Sequence, residues 1–519
     1  MQGNGLFLCY NSEDMRKGGW KMAGKRCIIP VPLARRRAWI AAALLLLAVL
    51  AALLWPRPAQ APAASFPLKQ AAQGLNDYDV NLRLNAEEGA LAITETLQYR
   101  NGTGETLDSL VMRTWLNAFQ QEDTSPAGGE LFDACYPNGF SPGGVTLYDV
   151  LWNGERAAHE YINADETALK ISIPPLEKGK EGVLTLRCVA QIPFCAHRTG
   201  RTDAGFQLGN VIPLLSRYEN GAWRTDEYCA VGDPFLSDCA NFRLTVHLPE
   251  GYMPACSALL VQSEDGAWRG EMQASRDMAL CVSRDYKTVS EKRGNVQVIS
   301  CAWDENGAKR ALEDALKALD TFSSLYGEYP YPSFTVCSAD FPFGGMEYPG
   351  LCMIGSGEYL ESRAESLELT VVHETAHQWF YAIVGSDQVN DPWQDEALCE
   401  YALLRYVEKR YGQGSFETLK YYRVDAAMQE SVPGNLTPGS PIHYFGNLQE
   451  YSTVVYGRGA GLLLALNEML PRGADDFLRA YARTFAFQYV SRSRFEAFLA
   501  AYAEMDAGPL LTDYLDTAM

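Results

Sequence analysis

Histidine and positive charge are both scarce in this 519-residue sequence. Six histidines occur, and 44 lysines and arginines stand against 64 aspartates and glutamates, which gives a net charge of −20. This surplus of negative charge repels phosphate, so nucleic acids are excluded as partners. The thirteen cysteines include no CxxC pair, which excludes a zinc knuckle. A content of 47% hydrophobic and 21% charged residues is typical of a folded chain, long enough here for two or three domains.

One long apolar run interrupts this composition near the start of the chain. Residues 1–37 carry eight basic and two acidic residues, a net charge of +6, and the 18 residues Ala38–Trp55 carry no charge. As a helix this run would span about 27 Å, close to the hydrocarbon thickness of a bilayer. The preceding Arg35–Arg37 predict that the N-terminus stays cytoplasmic and that the remainder lies outside the membrane. A cleaved signal peptide is the alternative, but Pro62 directly follows the small-residue segment Ala59–Ala61, which favours an uncleaved single-pass anchor.

The composition behind this run changes twice. Residues 56–72 are rich in Pro and Ala, which predicts a linker. Residues 73–291 show short alternating stretches separated by Gly, Asn and Pro, a pattern typical of an all-β, sandwich-like domain. Residues 292–519 hold a few strand-like runs followed by helical patterns, which predicts an α+β domain. We therefore expect a multidomain protein with a cytoplasmic basic segment, an anchor, a linker and these two domains.

The α+β part contains the sequence His-Glu-x-x-His within a predicted helix, Glu365–Gly385. His373 and His377 are four residues apart, so both imidazoles project from one face and can bind one metal ion. Glu374 lies about 100° round the helix, where it can contact a metal-bound water without binding the metal. This arrangement predicts a zinc site with a general base beside it.

A catalytic zinc needs a third protein ligand and an open position. Glu396 opens the next predicted helix, with 18 residues between His377 and Glu396, and we expect it to be that ligand. Glu400 lies one turn later on the same face, so it is either a partner of a ligand or an alternative ligand. For the other four histidines we expect surface or packing roles: His159, His197, His247 and His443.

The segments HETAHQWF and WQDEALCEY resemble the gluzincin aminopeptidases, the family of membrane alanyl aminopeptidase and leukotriene hydrolase, and in particular its short bacterial members. The family pattern is His-Glu-x-x-His, eighteen residues and Glu, as it stands here. The resemblance implies a thermolysin-like catalytic domain, one Zn²⁺ per chain and peptide substrates. Thermolysin-like endopeptidases share the helix, so this motif alone separates the two groups weakly.

A second motif favours the aminopeptidases. Gly344, Gly345, Met346 and Glu347 resemble the family's Gly-x-Met-Glu-Asn strand, where the glutamate binds the free α-amine of the substrate. The resemblance implies that this segment binds substrate, with Glu347 on the amine. Tyr348 replaces the family asparagine, a departure that changes the contacts beside this strand.

Two further positions follow from the resemblance. Tyr456, in Val-Tyr-Gly-Arg-Gly, matches the tyrosine of the family's Tyr-x-Lys-Gly and is expected to donate to the oxyanion. Arg458 replaces the family lysine and receives no catalytic role. Gln207 is the candidate for a second amine-binding residue, because FQLGN lies at a comparable place in the β domain.

Together these features predict a membrane-anchored zinc aminopeptidase that cleaves the N-terminal bond of peptides outside the membrane. Two alternatives stay open at this point. The first is a zinc endopeptidase, and the second is a non-catalytic peptide-binding or sensor ectodomain that has kept a peptidase fold.

Overall fold

Short strands dominate the first half of the chain in the computed structural model, which describes residues 65–518. Their inward positions alternate with exposed ones, as in β2, where every second residue is buried, so each strand contributes one face to a core. The strands and short helices of this half are α1 (Leu68–Ala71), β1 (Asp77–Asn85), β2 (Ala90–Arg100), β3 (Leu107–Arg113), α2 (Phe132–Cys135), β4 (Gly144–Trp152), β5 (Glu155–Arg156), β6 (His159–Tyr161), β7 (Ala168–Leu176), β8 (Glu181–Gln191), β9 (Thr199–Thr202), β10 (Gly205–Leu208), β11 (Leu214–Leu215), β12 (Tyr218–Glu219), β13 (Ala222–Trp223), β14 (Ala240–His247), β15 (Met253–Cys256), β16 (Val261–Gln262), β17 (Trp268–Ser275) and β18 (Leu280–Ser283).

These strands form one large and two smaller sheets. The large sheet has eight strands in the order β16-β17-β14-β1-β2-β8-β4-β5, and β1 and β14 run parallel in it. Two four-stranded sheets have the orders β15-β18-β10-β9 and β11-β3-β7-β6, and β12 pairs only with β13. Neighbours in sequence are therefore often not neighbours in a sheet.

The second half begins with a mixed sheet and continues as helices. Its elements are β19 (Lys287–Arg293), β20 (Val296–Ala302), α3 (Glu305–Tyr326), β21 (Ser333–Ala339), β22 (Gly345–Met346), β23 (Leu351–Gly355), α4 (Ala364–Ala376), β24 (Val384–Gly385), α5 (Trp393–Tyr411), α6 (Gln413–Lys420), α7 (Ala426–Gln429), α8 (Leu448–Tyr451), α9 (Gly459–Met469), α10 (Gly473–Thr484), β25 (Gln488–Tyr489), α11 (Arg492–Ala503) and α12 (Gly508–Leu511). The five-stranded sheet has the order β19-β20-β21-β23-β22, so β22 is an edge strand. Its neighbour β23 runs parallel to β21 and antiparallel to β22.

Several helical turns depart from the α geometry. The π-helical segments are Gln378–Ile383, Tyr421–Asp425, Ser452–Arg458 and Thr512–Asp516. The 3₁₀ turns are Trp115–Phe119, Gly129–Leu131, Ser356–Tyr359, Glu361–Arg363, Pro433–Asn435 and Ile442–Tyr444. Three of the π-helical segments carry or adjoin residues of the candidate site, as is frequent for such segments.

Arg276 connects the sheets of the first half to the helical half. Its side chain is buried and donates through Nε to the carbonyl oxygen of Tyr381 at 3.0 Å and through Nη2 to that of Gln488 at 2.5 Å. It also donates to the carbonyl oxygen of Ser237 at 3.1 Å. One cation therefore satisfies carbonyl groups from both halves next to the segment that follows the predicted zinc helix.

The predicted fold class is corrected in its β part, which is not one sandwich-like unit, and its membrane anchor has no counterpart among the helices of the described residues. Within residues 65–518, every helix is too short or too polar to cross a membrane. The predicted anchor at 38–55 lies outside the described residues, and the location inferred from it stays a prediction, as do the domain boundaries. The strands of the predicted sandwich-like unit instead form three main sheets. Alternation of apolar and polar residues identifies strands, but it does not determine which strands pair with each other.

Candidate active site

Helix α4 presents the two candidate histidine ligands at its C-terminal end. Leu367, Val371 and Val372 are fully buried on the helix and fix its rotation against the core. His373 lies in the last turn and His377 is the residue that follows the last turn. The helix is shorter than predicted, because the chain continues as a π-helical turn rather than to Gly385.

The structure brings His373, His377 and Glu396 together. The two Nε2 atoms are 3.2 Å apart, and each lies 3.3 Å from Oε2 of Glu396, in the first turn of α5. All three side chains are buried. In a tetrahedral zinc site with ligand distances of about 2.1 Å, ligand atoms are about 3.4 Å apart. The spacing and the nitrogen and oxygen donors therefore fit zinc, and all three residues line one cavity.

Each of the two candidate histidine ligands has a carboxylate next to its Nδ1 atom. Nδ1 of His377 lies 2.7 Å from Oδ1 of Asp395, whose other oxygen accepts from Gln388 at 2.5 Å. Nδ1 of His373 lies 3.4 Å from Oε2 of Glu400. Glu400 is therefore a partner of a candidate ligand rather than an alternative ligand, and such carboxylates hold the ring that binds the metal in place.

Glu374 lies beside these ligands with its carboxylate in the cavity. Burial raises its pKa to about 7, against the lowering effect of the two neighbouring histidines. Gly345 makes room for it, since a Cβ there would lie 2.4 Å from Oε1 of Glu374. A carboxyl group that titrates near neutral pH can both accept and return a proton.

The predicted amine-binding segment lines the same cavity. Gly344, Gly345, Met346 and Glu347 all contribute to its wall. Glu347, Glu374 and His377 each have an oxygen or nitrogen atom able to bind a metal ion, and these three atoms lie within 4.8 Å of one another. Glu347 is buried, its pKa is raised well above the ordinary range by that burial, and Oε1 has no hydrogen-bond partner among the described residues. Tyr348 is turned the other way, where its hydroxyl donates to Asn210 at 2.6 Å.

Tyr456 also lines the cavity and lies in the π-helical segment Ser452–Arg458. Its ring stacks on that of His373 with centroids 5.5 Å apart and planes 18° apart. Burial raises the pKa of its hydroxyl well above the ordinary value, so it stays protonated. Arg458 instead donates to the carbonyl oxygens of Ala427 and Glu430, in keeping with the absence of a predicted catalytic role.

The sheet-rich half supplies three ionisable cavity residues for which the sequence predicted no role in the site. His197, Arg198 and Asp233 line the cavity, and Arg198 forms an ion pair with Asp233 and contacts the sulfur of Met346 at 2.8 Å. His197 packs against the rings of Phe119 and Phe343. It therefore has the expected packing role, but it also lines the cavity. No recognised motif contains these residues, and only their clustering in the folded chain reveals them.

Gln207 does not line this cavity. It lies in β10, inside a four-stranded sheet, where it is paired with Gly200 on one side and Cys281 on the other. Its side chain is buried there. The candidate role in amine binding is therefore corrected, because the neighbouring segment around Arg198, and not β10, reaches the site.

The cavity has a volume of about 290 Å³ and is lined by residues of both halves. The candidate zinc ligands, Glu374, Glu347 and Tyr456 all line it. Such a cavity can hold one or a few peptide residues next to a metal ion, a general base and a hydroxyl donor.

Comparison with known proteins supports this arrangement. Residues 310–514 match the model of the Peptidase family M1 domain, which confirms the resemblance seen in the sequence. Mouse aminopeptidase RNPEPL1 is 30% identical over 212 residues, covering 38% of this chain and 28% of the relative. Leukotriene A-4 hydrolase of Xenopus laevis is 28% identical over 196 residues, covering 36% and 32%. The chain thus spans about a third or less of the length of these relatives.

Solved structures with the same fold cover most of the chain. An M1 zinc metallopeptidase from Deinococcus radiodurans has a TM-score of 0.58 at 18% identity and covers 86% of this chain and 94% of its own. Yeast LTA4 hydrolase in complex with bestatin has a TM-score of 0.60 at 16% identity, with 89% and 71% covered. At these identities the likeness concerns the fold.

Proposed function

We propose, from the match of residues 310–514 to the Peptidase family M1 domain, that this chain is a zinc-dependent aminopeptidase, which hydrolyses the N-terminal bond of peptides. The observation that carries this proposal is the position of Glu347. Its buried carboxylate lies on the cavity wall, within 4.8 Å of donor atoms of Glu374 and His377, and one oxygen lacks a hydrogen-bond partner among the described residues.

A buried carboxylate without partners is unfavourable, and an ammonium group would compensate it. The free α-amine of a peptide is such a group, and it carries several donors for a charge-assisted hydrogen bond. With its amine held at Glu347, a peptide places its first carbonyl close to the candidate ligands. The distance between Glu347 and His377 therefore supports cleavage of the first bond rather than of an internal one.

Zinc bound by His373, His377 and Glu396 would polarise the carbonyl and lower the pKa of water. Glu374 accepts a proton from the attacking water and delivers it to the leaving nitrogen. Its raised pKa of about 7 suits both steps, since neither protonation state is strongly favoured near neutral pH.

Tyr456 acts on the oxygen that becomes negative. Its hydroxyl stays protonated because burial raises its pKa, so it can donate a hydrogen bond to the developing oxyanion. Its ring is held by stacking on His373, and a donor that is already oriented stabilises the transition state without reorganising.

The test uses pairs of peptides that differ only in N-acetylation. The wild-type protein, Glu347→Gln and the control Glu361→Gln, an exposed residue, are assayed with zinc. We expect the wild type and the control to cleave free-amine peptides about tenfold to a hundredfold faster than the blocked ones, because a charge-assisted pair is worth about 1.5–3 kcal/mol. Glu347→Gln should lose most of this preference.

Two outcomes would contradict the proposal. Equal cleavage of blocked and free peptides by the wild type would indicate an endopeptidase. Stoichiometric zinc binding without turnover on any member of a free-amine peptide library would indicate a non-catalytic binding protein.

A further inference from the structure

We infer, on the basis of the proposed function, that Arg423 binds a carboxylate on the leaving part of the substrate. Arg423 lies in the π-helical segment Tyr421–Asp425 and lines the cavity. Its side chain is 42% exposed, so its guanidinium is accessible to a bound peptide. Guanidinium groups match carboxylates in a bidentate geometry.

Arg423 and Glu347 line the same cavity and are linked by contacts that pass through both candidate histidine ligands. Glu347 is close to His377, within 4.8 Å of its donor atom. Nδ1 of His373 lies 3.4 Å from Glu400, and Oε2 of Glu400 lies 3.7 Å from Nη1 of Arg423. This series of contacts runs from Glu347 through His377, His373 and Glu400 to Arg423. Because Arg423 lines the cavity that Glu347 also lines, a peptide with its amine at Glu347 can reach Arg423 with a group beyond the cleaved bond.

The guanidinium has capacity for a ligand. Its contact with Glu400 is longer than a hydrogen bond, and within residues 65–518 the side chain donates no hydrogen bond that meets ordinary geometry. Glu400 is also shared with His373. An arginine has five N–H donors, so those not directed at Glu400 remain free to bind substrate.

The backbone that carries Arg423 is fixed to the segment that carries Tyr456. A Cβ at Gly457 would lie 2.7 Å from the carbonyl oxygen of Arg423 and 2.4 Å from Cβ of Ala427, so only glycine permits this approach. Arg458 adds hydrogen bonds to the carbonyl oxygens of Ala427 and Glu430. The backbone of Arg423 is thus fixed relative to Tyr456, the proposed oxyanion donor. An arginine that is specific for one residue of a bound peptide needs such a fixed position.

Two substrate groups offer this chemistry: the α-carboxylate of a short peptide and the acidic side chain of a residue after the cleaved bond. Four peptides distinguish them: Ala-Ala as free acid, Ala-Ala amide, Ala-Glu amide and Ala-Gln amide. The proteins are the wild type, Arg423→Gln, Arg423→Lys and the control Lys420→Gln, which removes a charge from α6 at a residue that does not line the cavity.

We expect the wild type and Lys420→Gln to favour one carboxylate peptide over its neutral counterpart by about tenfold to a hundredfold in kcat/KM, mainly through KM. Preference for Ala-Ala acid over its amide identifies the α-carboxylate, and preference for Ala-Glu amide over Ala-Gln amide identifies the side chain. Arg423→Gln should abolish the preference while keeping hydrolysis of the neutral peptide, and Arg423→Lys should keep part of it.

Two results would overturn the assignment: a wild type that treats all four peptides alike, or an Arg423→Gln variant that loses activity on acid and neutral peptides equally, as a purely structural role through Glu400 predicts. Calorimetry with Glu374→Gln provides a second measurement, in which Arg423→Gln should weaken binding of the preferred carboxylate peptide only. Absence of any wild-type turnover on free-amine peptides would instead contradict the proposed function.

Discussion

Asp395 and His377 are in direct contact next to the candidate metal site, with Oδ1 and Nδ1 2.7 Å apart. Since a carboxylate only accepts, Nδ1 carries the hydrogen and Nε2 is left to bind a metal. The next residue, Glu396, places its carboxylate 3.3 Å from that Nε2. Asp395 therefore orients the His377 ring so that Nε2 can bind a metal ion, and the next residue of α5, Glu396, lies beside that nitrogen.

Replacing Asp395 with Asn should weaken zinc binding. The amide keeps the shape but loses the charge that holds the ring and strengthens its donor character, and removal of such partners costs about tenfold to a hundredfold in metal affinity. Competition with a chelator measures this affinity. Asp320→Asn, at a half-exposed site on α3, serves as the control, and unchanged affinity in Asp395→Asn would contradict the assigned role.

Glu374→Gln should retain zinc and lose hydrolysis. The amide cannot accept the proton of water, and general acid–base catalysis contributes about 10²- to 10⁴-fold in rate. Turnover and zinc content are measured on the same preparation. A variant that kept its zinc and the wild-type rate would exclude Glu374 as the base.

Tyr456→Phe should lower kcat by about 10²- to 10³-fold with little change in KM, because the hydroxyl donates mainly to the developing oxyanion. Tyr444→Phe, at an exposed tyrosine, is the matched control. A rise in KM with kcat unchanged would instead show that the hydroxyl contributes to ground-state binding.

Glu95→Leu should stabilise the protein at high pH. Glu95 lies in β2 opposite Val80 and Leu186, and neither carboxyl oxygen has a hydrogen-bond partner among the described residues. Burial raises its pKa well above the ordinary value of 4.5. The wild type therefore loses stability as pH rises from 4.5 through this raised pKa, since ionisation is harder in the folded state.

We expect Glu95→Leu to raise the free energy of unfolding at pH 8 by about 1–3 kcal/mol and by less at pH 5, as measured by urea denaturation. Glu95→Gln is the matched variant, which removes the charge but keeps the buried polar group. A loss of stability at pH 8 in Glu95→Leu would show that the carboxylate has a compensating partner.

The residues that adjoin each other on one helix face were predictable from the sequence. His373 and His377 are one turn apart, and this period alone brings their nitrogens together. Glu396 followed from a spacing, and its position at the start of a helix was also predicted. The end of α4 was not, because the π-helical turn after His377 contains backbone angles at Phe380 and Tyr381 that no residue type there requires.

Contacts between segments that are distant along the chain could not be predicted from the sequence. Arg198 pairs with Asp233 and contacts Met346 only because loops of the sheet-rich half reach the cavity, and nothing in the local sequence of these loops indicates it. Gln207 was chosen for its place along the chain, yet its strand is enclosed by two others. Which of several neighbouring segments faces a site depends on sheet pairing, which alternation does not encode.

The edge position of β22 adds a requirement on the shape of the substrate. Gly345 and Met346 form the edge strand of the sheet and, with Gly344, line the cavity, so a peptide that lies along them can continue the sheet as one more strand. Such pairing needs an extended backbone. A terminus that is folded into a helix or packed in a domain lacks that form, so susceptibility to cleavage would report on whether a protein's end is unfolded as well as on its first residue.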